Sequence, residues 1–180
     1  MALRVVAVSG SLRSGSTTAA LLRGILDELA GRGEVDAELI ELSPLARDLA
    51  DVIGGEQASA RLASALDAVG DADLLVVATP IYRGSYTGLF KQFFDVVHQD
   101  AIAGKPVLLA AGGGNDLHSL AIDHELRPLF AFFRAQVLPV GVYARAADFS
   151  DGSISADGLR AKIAAAVEAS GSFLAVAASA

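Results

Sequence analysis

The chain contains no cysteine among its 180 residues. Catalysis by a thiol, cysteine-ligated metals and a disulfide framework are therefore excluded, and the stability of the fold must come from its hydrophobic core. A chain of this length is long enough to bury such a core without metals or disulfides. We expect a single domain that spans residues 1–180.

Positive charge is scarce as well: 14 Lys and Arg residues stand against 21 Asp and Glu residues, which gives a formal net charge of -7. Affinity for a polyanion depends on clustered positive charge, and the sequence shows no stripe of Lys and Arg, so we expect no nucleic-acid partner. A local site for one small anion is compatible with this acidity, because nearby groups set the field there.

Long hydrophobic runs are missing, although 53% of the residues are hydrophobic. Charged side chains interrupt nearly every apolar run, and no run approaches the length that a bilayer span requires. The first predicted strand begins at Leu3, with no basic leader and no apolar signal core before it. We therefore expect a cytoplasmic protein without a membrane partner.

What the sequence does contain is an alternation of five apolar, β-branched segments with five helical ones. Strands are predicted at residues 3–8, 35–42, 72–79, 106–111 and 136–143. Helices are predicted at residues 17–30, 56–69, 88–97, 117–135 and from 157 to about 177. This alternation predicts an α/β fold, a doubly wound five-stranded parallel sheet with helices on both faces.

The loop after the first strand favours the flavodoxin-like strand order 2-1-3-4-5. The main competitor is a Rossmann half, for which Glu41 at the end of the second strand could supply the acidic residue. A Rossmann fingerprint needs close-approach glycines in the first loop, whereas this loop carries hydroxyls and Arg13. The loop chemistry therefore disagrees with a Rossmann half.

This first loop, residues 9–18, combines groups that bind a phosphate monoester. Its hydroxyl donors are Ser11, Ser16, Thr17 and Thr18. Arg13 adds a guanidinium, and the start of the following helix adds backbone N–H groups. The lysine of a nucleoside triphosphate loop is absent, so flavin mononucleotide (FMN) fits better than ATP. The alternative is an ordinary N-capped turn with a solvated Arg13.

Two more loops follow the third and fourth strands and end at the same edge of the sheet. The first contains Pro80, Ile81 and Tyr82, and the second contains Gly112, Gly113 and Gly114. The turn at 80–82 can present backbone N–H and C=O groups to the hydrogen-bonding edge of an isoalloxazine ring. The glycines let main chain approach that ring closely. Tyr82 could instead pack at a helix start or at a subunit interface.

The redox chemistry of such a site belongs to the flavin, so we predict no catalytic residue among the protein side chains. Arg83 is a candidate for binding the 2′-phosphate of NADPH, and a surface arginine without this role is the alternative. His118 and His124 lack helical ligand spacing and a third ligand, so we expect no metal site.

At these loops the sequence resembles the NADPH-dependent FMN reductase family, most closely the alkanesulfonate-type members. The resembling segments are Gly-Ser-x-Arg with the hydroxyls that follow it at 10–18, Thr79-Pro80-Ile81-Tyr82 with 86–91, and 113–118 with 121–129. In the sulfonate-type relatives one inserted residue forms a π-bulge in a helix at a subunit interface, and the matching residue here is His124. Some relatives carry Tyr there, so His124 points to the branch associated with methanesulfonate.

The resemblance implies hydride transfer from NADPH or NADH to FMN, and delivery of reduced FMN to a flavin-dependent monooxygenase of the alkane- or methanesulfonate type. It also implies a homodimer or homotetramer. Two alternatives stay open: a reductase of quinones, azo dyes or chromate that retains its FMN, and a non-enzymatic, flavodoxin-like electron carrier. Arg13 argues against the carrier, because flavodoxin phosphate loops use mainly hydroxyls and backbone amides.

Overall fold

The computed structural model describes residues 2–177, and these contain a parallel sheet in the order β2-β1-β3-β4-β5. Its strands are β1 (Leu3–Ser9), β2 (Val35–Glu41), β3 (Leu74–Pro80), β4 (Pro106–Gly113), β5 (Gln136–Val137) and β6 (Val142–Arg145). The predicted flavodoxin-like order is confirmed. Because all pairs in this sheet are parallel, the loops after β1, β3 and β4 leave from one edge.

The fifth position of the sheet holds two short strands, since β5 and β6 both pair with β4. The prediction of one continuous strand at 136–143 is therefore corrected. Pro139 has no N–H to donate to a ladder. The chain also passes very close to its neighbours here: a Cβ on Gly141 would lie 2.8 Å from Ile122 Cγ2. These two residues separate β5 from β6.

Within residues 2–177, six α-helices surround the sheet. They are α1 (Thr17–Ala30), α2 (Ala46–Ile53), α3 (Ala60–Asp71), α4 (Gly88–Val96), α5 (Arg127–Phe132) and α6 (Asp157–Ala177). The bounds of α1 are those predicted, while α2 was not predicted. A small antiparallel hairpin, β7 (Phe149–Ser150) with β8 (Ser153–Ile154), was not predicted either.

The core lies on both faces of the sheet, because successive strand residues point in opposite directions. On one face Val6 and Val8 of β1 belong to a buried cluster with side chains from α2, α3, α4 and α5. On the other face Val5 and Ala7 belong to a cluster with side chains of α1 and α6. The prediction of helices on both faces is confirmed.

The predicted helix at 117–135 is interrupted. The segment contains a 3-10 turn at Asp116–His118, a π-helix at Ile122–Leu126 and then α5. The N–H of Arg127 donates to the carbonyl of Ile122, five residues earlier, which widens the turn. Pro128 follows and has no N–H with which to continue an α-helical ladder. His124 therefore lies in a π-helix, as the resemblance implied.

Candidate functional site

Two cavities lie at the edge of the sheet where β1, β3 and β4 end. The first, which we call the loop cavity, has a volume of about 350 Å³ and is lined by Ser11, Arg13, Ser14, Gly15, Ser16, Thr17, Thr18, Pro80 and Tyr82. The second, the glycine cavity, has a volume of about 290 Å³ and includes Ile81, Gly112, Gly113, Gly114, Asn115, His118 and Arg145 in its lining. Thr17, Thr18, Pro80 and Tyr82 line both, so the cavities adjoin.

Every residue predicted to bind the cofactor lines one of these cavities, except Arg83. Arg83 is exposed and lies outside both linings. His124 also lies outside them, in the π-helix. The structure thus brings the three predicted loops together around the two cavities, while Arg83, within the second loop, and His124, in the π-helix, do not line them.

Gly10, at the start of the first loop, is held tightly between β3 and α4. Its N–H donates to the carbonyl of Ala78 at 2.7 Å, and its carbonyl accepts from the Thr87 hydroxyl at 2.7 Å. A Cβ at this position would lie 2.6 Å from Cδ2 of the fully buried Phe90. Only glycine allows the loop to leave β1 so close to α4.

Two hydroxyls of the first loop, those of Ser11 and Ser16, accept hydrogen bonds from the backbone and keep their own protons available. Ser16 is the N-cap of α1, and its Oγ accepts from the N–H of Ala19 at 3.2 Å. The buried hydroxyl of Ser11 accepts from the N–H of Arg13 at 3.2 Å. Each hydroxyl can therefore donate its proton to a ligand. The N–H groups of Thr17 and Thr18, in the first turn of α1, have no partner within the helix.

The second loop forms a tight turn from Tyr82 to Ser85. The Tyr82 N–H donates to the Ser85 carbonyl at 2.9 Å, and the two central residues have positive φ, 56° at Arg83 and 88° at Gly84. This is the type I′ geometry of a two-residue hairpin. The N–H of Ile81 donates to the carbonyl of Gly112 at 2.7 Å. The N–H groups of Ile81 and Tyr82 are thus engaged within the protein. At these two residues the turn can therefore present carbonyl groups and side chains, but no free N–H, to an isoalloxazine ring.

The third loop passes directly over Tyr143. A Cβ on Gly113 would lie 2.1 Å from the Tyr143 hydroxyl, which itself donates to the carbonyl of Asn115 at 2.6 Å. Burial, and to a smaller extent the charge of Asp116, raises the pKa of Tyr143 above its ordinary value. The phenol therefore stays neutral and holds the glycine loop in place.

Arg145 was not predicted, yet it lines the glycine cavity. Its guanidinium donates to Asp148 Oδ1 at 2.9 Å, its backbone N–H donates to Asp148 Oδ2 at 2.7 Å, and Asp116 Oδ2 lies 3.6 Å from Nη1. Burial alone would raise the pKa of Asp148, but the hydrogen bonds from Arg145, together with the charges of Arg145 and Lys162, lower that pKa overall. The hydrogen bond with Asp148 is the main cause of the raised pKa of Arg145. The sequence did contain a signal for Arg145, because this residue comes shortly after the apolar strand that was predicted to end at Tyr143.

The donors of the loop cavity suit an anion, and the flat glycine loop suits a planar ring. A guanidinium, hydroxyls and the first N–H groups of α1 converge on one cavity. Within residues 2–177 there is no group of three or more metal-ligating side chains, and no helix is both long and apolar enough to cross a membrane. The groups present fit a phosphate monoester joined to a flavin ring.

Residues 3–150 match the family described as NADPH-dependent FMN reductase. The chain is 46% identical over 166 residues to the NADH-dependent FMN reductase SfnF of Pseudomonas fluorescens, and the aligned segment covers 92% of this chain and 89% of the relative. It is also 46% identical over 165 residues to the FMN reductase (NADPH) of Pseudomonas aeruginosa, with the same coverage, 92% and 89%. An oxidoreductase structure from Corynebacterium diphtheriae superposes with a TM-score of 0.87 at 35% identity, covering 97% of this chain and 98% of that one.

These matches extend over most of the chain and include all three loops of the site. They confirm the family that the sequence resemblance predicted. The chain belongs to the NADPH-dependent FMN reductase family and is an oxidoreductase that uses FMN and NAD(P)H.

Proposed function

We propose that the phosphate of FMN binds in the loop cavity and the isoalloxazine ring in the glycine cavity. The observation that carries this proposal is that the two cavities adjoin and share four lining residues. A ligand with a phosphate at one end and a flat ring at the other fits such a continuous cleft. Ligands of open α/β sheets bind at this edge, beyond the carboxyl ends of the strands.

The charges of the first loop support a phosphate there. Arg13 makes no ion pair within the described part of the chain, so its guanidinium is available to phosphate oxygens. The N-terminus of α1 adds a partial positive charge, and the Ser11 and Ser16 hydroxyls can donate. These groups together balance a monoester dianion in a protein whose net charge is negative.

Two features of the lining support the orientation of the ring. Tyr82 lines both cavities and keeps 49% of its surface exposed, and the main chain at 112–114 lines the glycine cavity. When bound, FMN supplies the hydride chemistry. In this proposal the ring lies against these residues and keeps one face accessible, so that a nicotinamide can stack on it.

Delivery of reduced FMN to a flavin-dependent monooxygenase of the alkane- or methanesulfonate type is the second part of the proposal. It is supported by the resemblance to sulfonate-type reductases and by His124 in the π-helix. Exposed apolar side chains, Phe132 at 71% and Leu117 at 85%, are compatible with a homodimer or homotetramer. We also propose a single domain over residues 1–180 and a cytoplasmic location.

The test is steady-state oxidation of NADPH and NADH by the purified protein, with and without added FMN, while bound flavin is measured. We expect oxidation that requires free FMN and saturates with it. Activity with tightly retained FMN and an added quinone would favour the FMN-retaining reductase of quinones, azo dyes or chromate. Negligible oxidation together with a stable one-electron reduced flavin would favour the electron carrier.

A further inference from the structure

We propose that Glu41 is a positioning residue of the phosphate loop, which it reaches from the neighbouring strand β2. It accepts a hydrogen bond from Gly15 and so fixes the part of the loop that carries Arg13. This inference rests on the proposed phosphate site, and it assigns to that site a side chain that lies outside both cavity linings.

The carboxylate of Glu41 joins three elements. Its Oε2 accepts from the N–H of Gly15 at 3.1 Å, and its Oε1 lies 3.4 Å from Nη2 of Arg23 in α1. Glu41 is the last residue of β2 and pairs in register with Ser9, the last residue of β1. The strand register therefore delivers this carboxylate to the level at which the phosphate loop begins.

The loop needs such a contact because it has little packing of its own. Residues 12–15 are exposed, and Gly15 has a φ of +64°, a conformation that does not form part of any regular element. A second contact comes from Ser43, two residues after β2 ends, since the hydroxyls of Ser14 and Ser43 lie 3.0 Å apart. Both tethers hold the residues that immediately follow Arg13.

A carboxylate beside an anion site could also repel the anion. Arg23 lies against Glu41 and offsets its charge, and the Gly15 N–H is satisfied by the carboxylate instead of by the ligand. Hydrogen bonds to a charged acceptor are stronger than neutral ones. We therefore expect that loss of the tether affects phosphate binding more than relief of repulsion does.

The test compares the dissociation constants of FMN and riboflavin for Glu41→Ala, Glu41→Gln and the wild type, by titration of flavin fluorescence. Because only FMN carries the phosphate, Glu41→Ala should raise the dissociation constant of FMN about tenfold and leave that of riboflavin within about twofold. Glu41→Gln keeps an acceptor for Gly15 and should recover most of the loss. Ser43→Ala, which removes the second tether, should raise the dissociation constant of FMN about threefold.

Glu38→Ala is the matched control, since Glu38 lies on the same strand and pairs with Arg4 at 3.8 Å, away from the loop. It should leave both dissociation constants unchanged. Unchanged or tighter FMN binding by Glu41→Ala would overturn the positioning role, and so would equal losses for FMN and riboflavin.

Arg13→Ala, measured in parallel, separates this proposal from the one on which it rests. If Arg13→Ala weakens the binding of FMN but not that of riboflavin, and Glu41→Ala leaves FMN binding unchanged, the phosphate site is supported and the role of Glu41 is rejected. If Arg13→Ala weakens both flavins equally, the phosphate site itself is rejected, and the role of Glu41 with it.

Discussion

The hydroxyl of Ser85 donates a hydrogen bond of 2.7 Å to the carboxylate of Glu125. Ser85 closes the turn that begins at Tyr82, on the wall of both cavities, and Glu125 lies in the π-helix. The direction of a side chain on a helix depends on the residues per turn, so the widened π-helical turn helps to set where Glu125 points. This bond therefore ties the position of the Tyr82 turn to the π-helix.

Removal of the Ser85 hydroxyl should weaken flavin binding about as much as it weakens the fold. Ser85→Ala leaves the Glu125 carboxylate without this donor and frees the turn, so we expect the KM for FMN to rise about fivefold while the free energy of unfolding falls by about 1 kcal/mol. Kinetics and urea unfolding measure the two effects. The double variant with Glu125→Ala should be no worse than Glu125→Ala alone, and additive losses would contradict the coupling.

Gly113 and Gly114 are neighbours with opposite tolerance for a side chain. The Cβ of Gly113→Ala would meet the hydrogen-bonded Tyr143 hydroxyl at 2.1 Å, whereas nothing lies within 4 Å of a Cβ on Gly114. We expect Gly113→Ala to lower the free energy of unfolding by about 2 kcal/mol, and Gly114→Ala to change it by less than about 0.5 kcal/mol. Urea unfolding measures both.

The collision can be tested by removing the other partner. In a Tyr143→Phe background the nearest ring atom would lie 3.2 Å from the new Cβ, so Gly113→Ala should cost less there than in the wild type. An equal cost in both backgrounds would show that the Tyr143 hydroxyl is not what excludes a side chain.

The central strands and the three site loops were predictable because their signals are local. A continuous apolar run such as 74–78 is typical of a buried parallel strand, and the parallel order then brings the loops to one edge. The N-cap at Ser16 likewise marks the start of α1.

What the sequence did not predict depends on contacts between distant residues. Glu41 reaches Gly15 only because β2 pairs with β1 in a particular register. Arg145 enters the glycine cavity because β6 continues past Tyr143 alongside β4. The helix α2 follows Pro44 and has only eight residues, which is too short a segment to establish a helical period from the sequence.

The buried Asp148 should make the free energy of unfolding depend on pH in the acidic range. Its pKa in the folded protein lies below the ordinary value of 3.8, so the folded state binds fewer protons than the unfolded state at low pH. The contribution of the ionised Asp148 to the free energy of unfolding is present at pH values above that ordinary pKa. It is lost as the pH falls through the pKa of the folded state. At pH 7, Asp148→Asn should lower the free energy of unfolding by about 2 kcal/mol.

Urea unfolding at pH 7 and near pH 3 checks this, and the difference from the wild type should shrink at the lower pH. Asp116→Asn is the control, because Asp116 pairs with the same arginine but its side chain is 71% exposed. Exposed pairs contribute little, so this variant should change the free energy of unfolding by less than about 1 kcal/mol at either pH. A difference for Asp148→Asn that does not vary with pH would contradict the role of its charge.

Arg83 is a central residue of the Tyr82 turn, and its side chain is exposed and lies outside both cavity linings. Its φ of 56° suits glycine, so Arg83→Gly removes the guanidinium without straining the turn, whereas Arg83→Lys keeps a positive charge. If Arg83 binds the 2′-phosphate, Arg83→Gly should lower kcat/KM for NADPH about tenfold and leave that for NADH unchanged, because only NADPH carries this group. Arg83→Lys should retain part of the preference. Steady-state kinetics with both nucleotides at saturating FMN measure the ratio, and an unchanged ratio in Arg83→Gly would make Arg83 a surface residue.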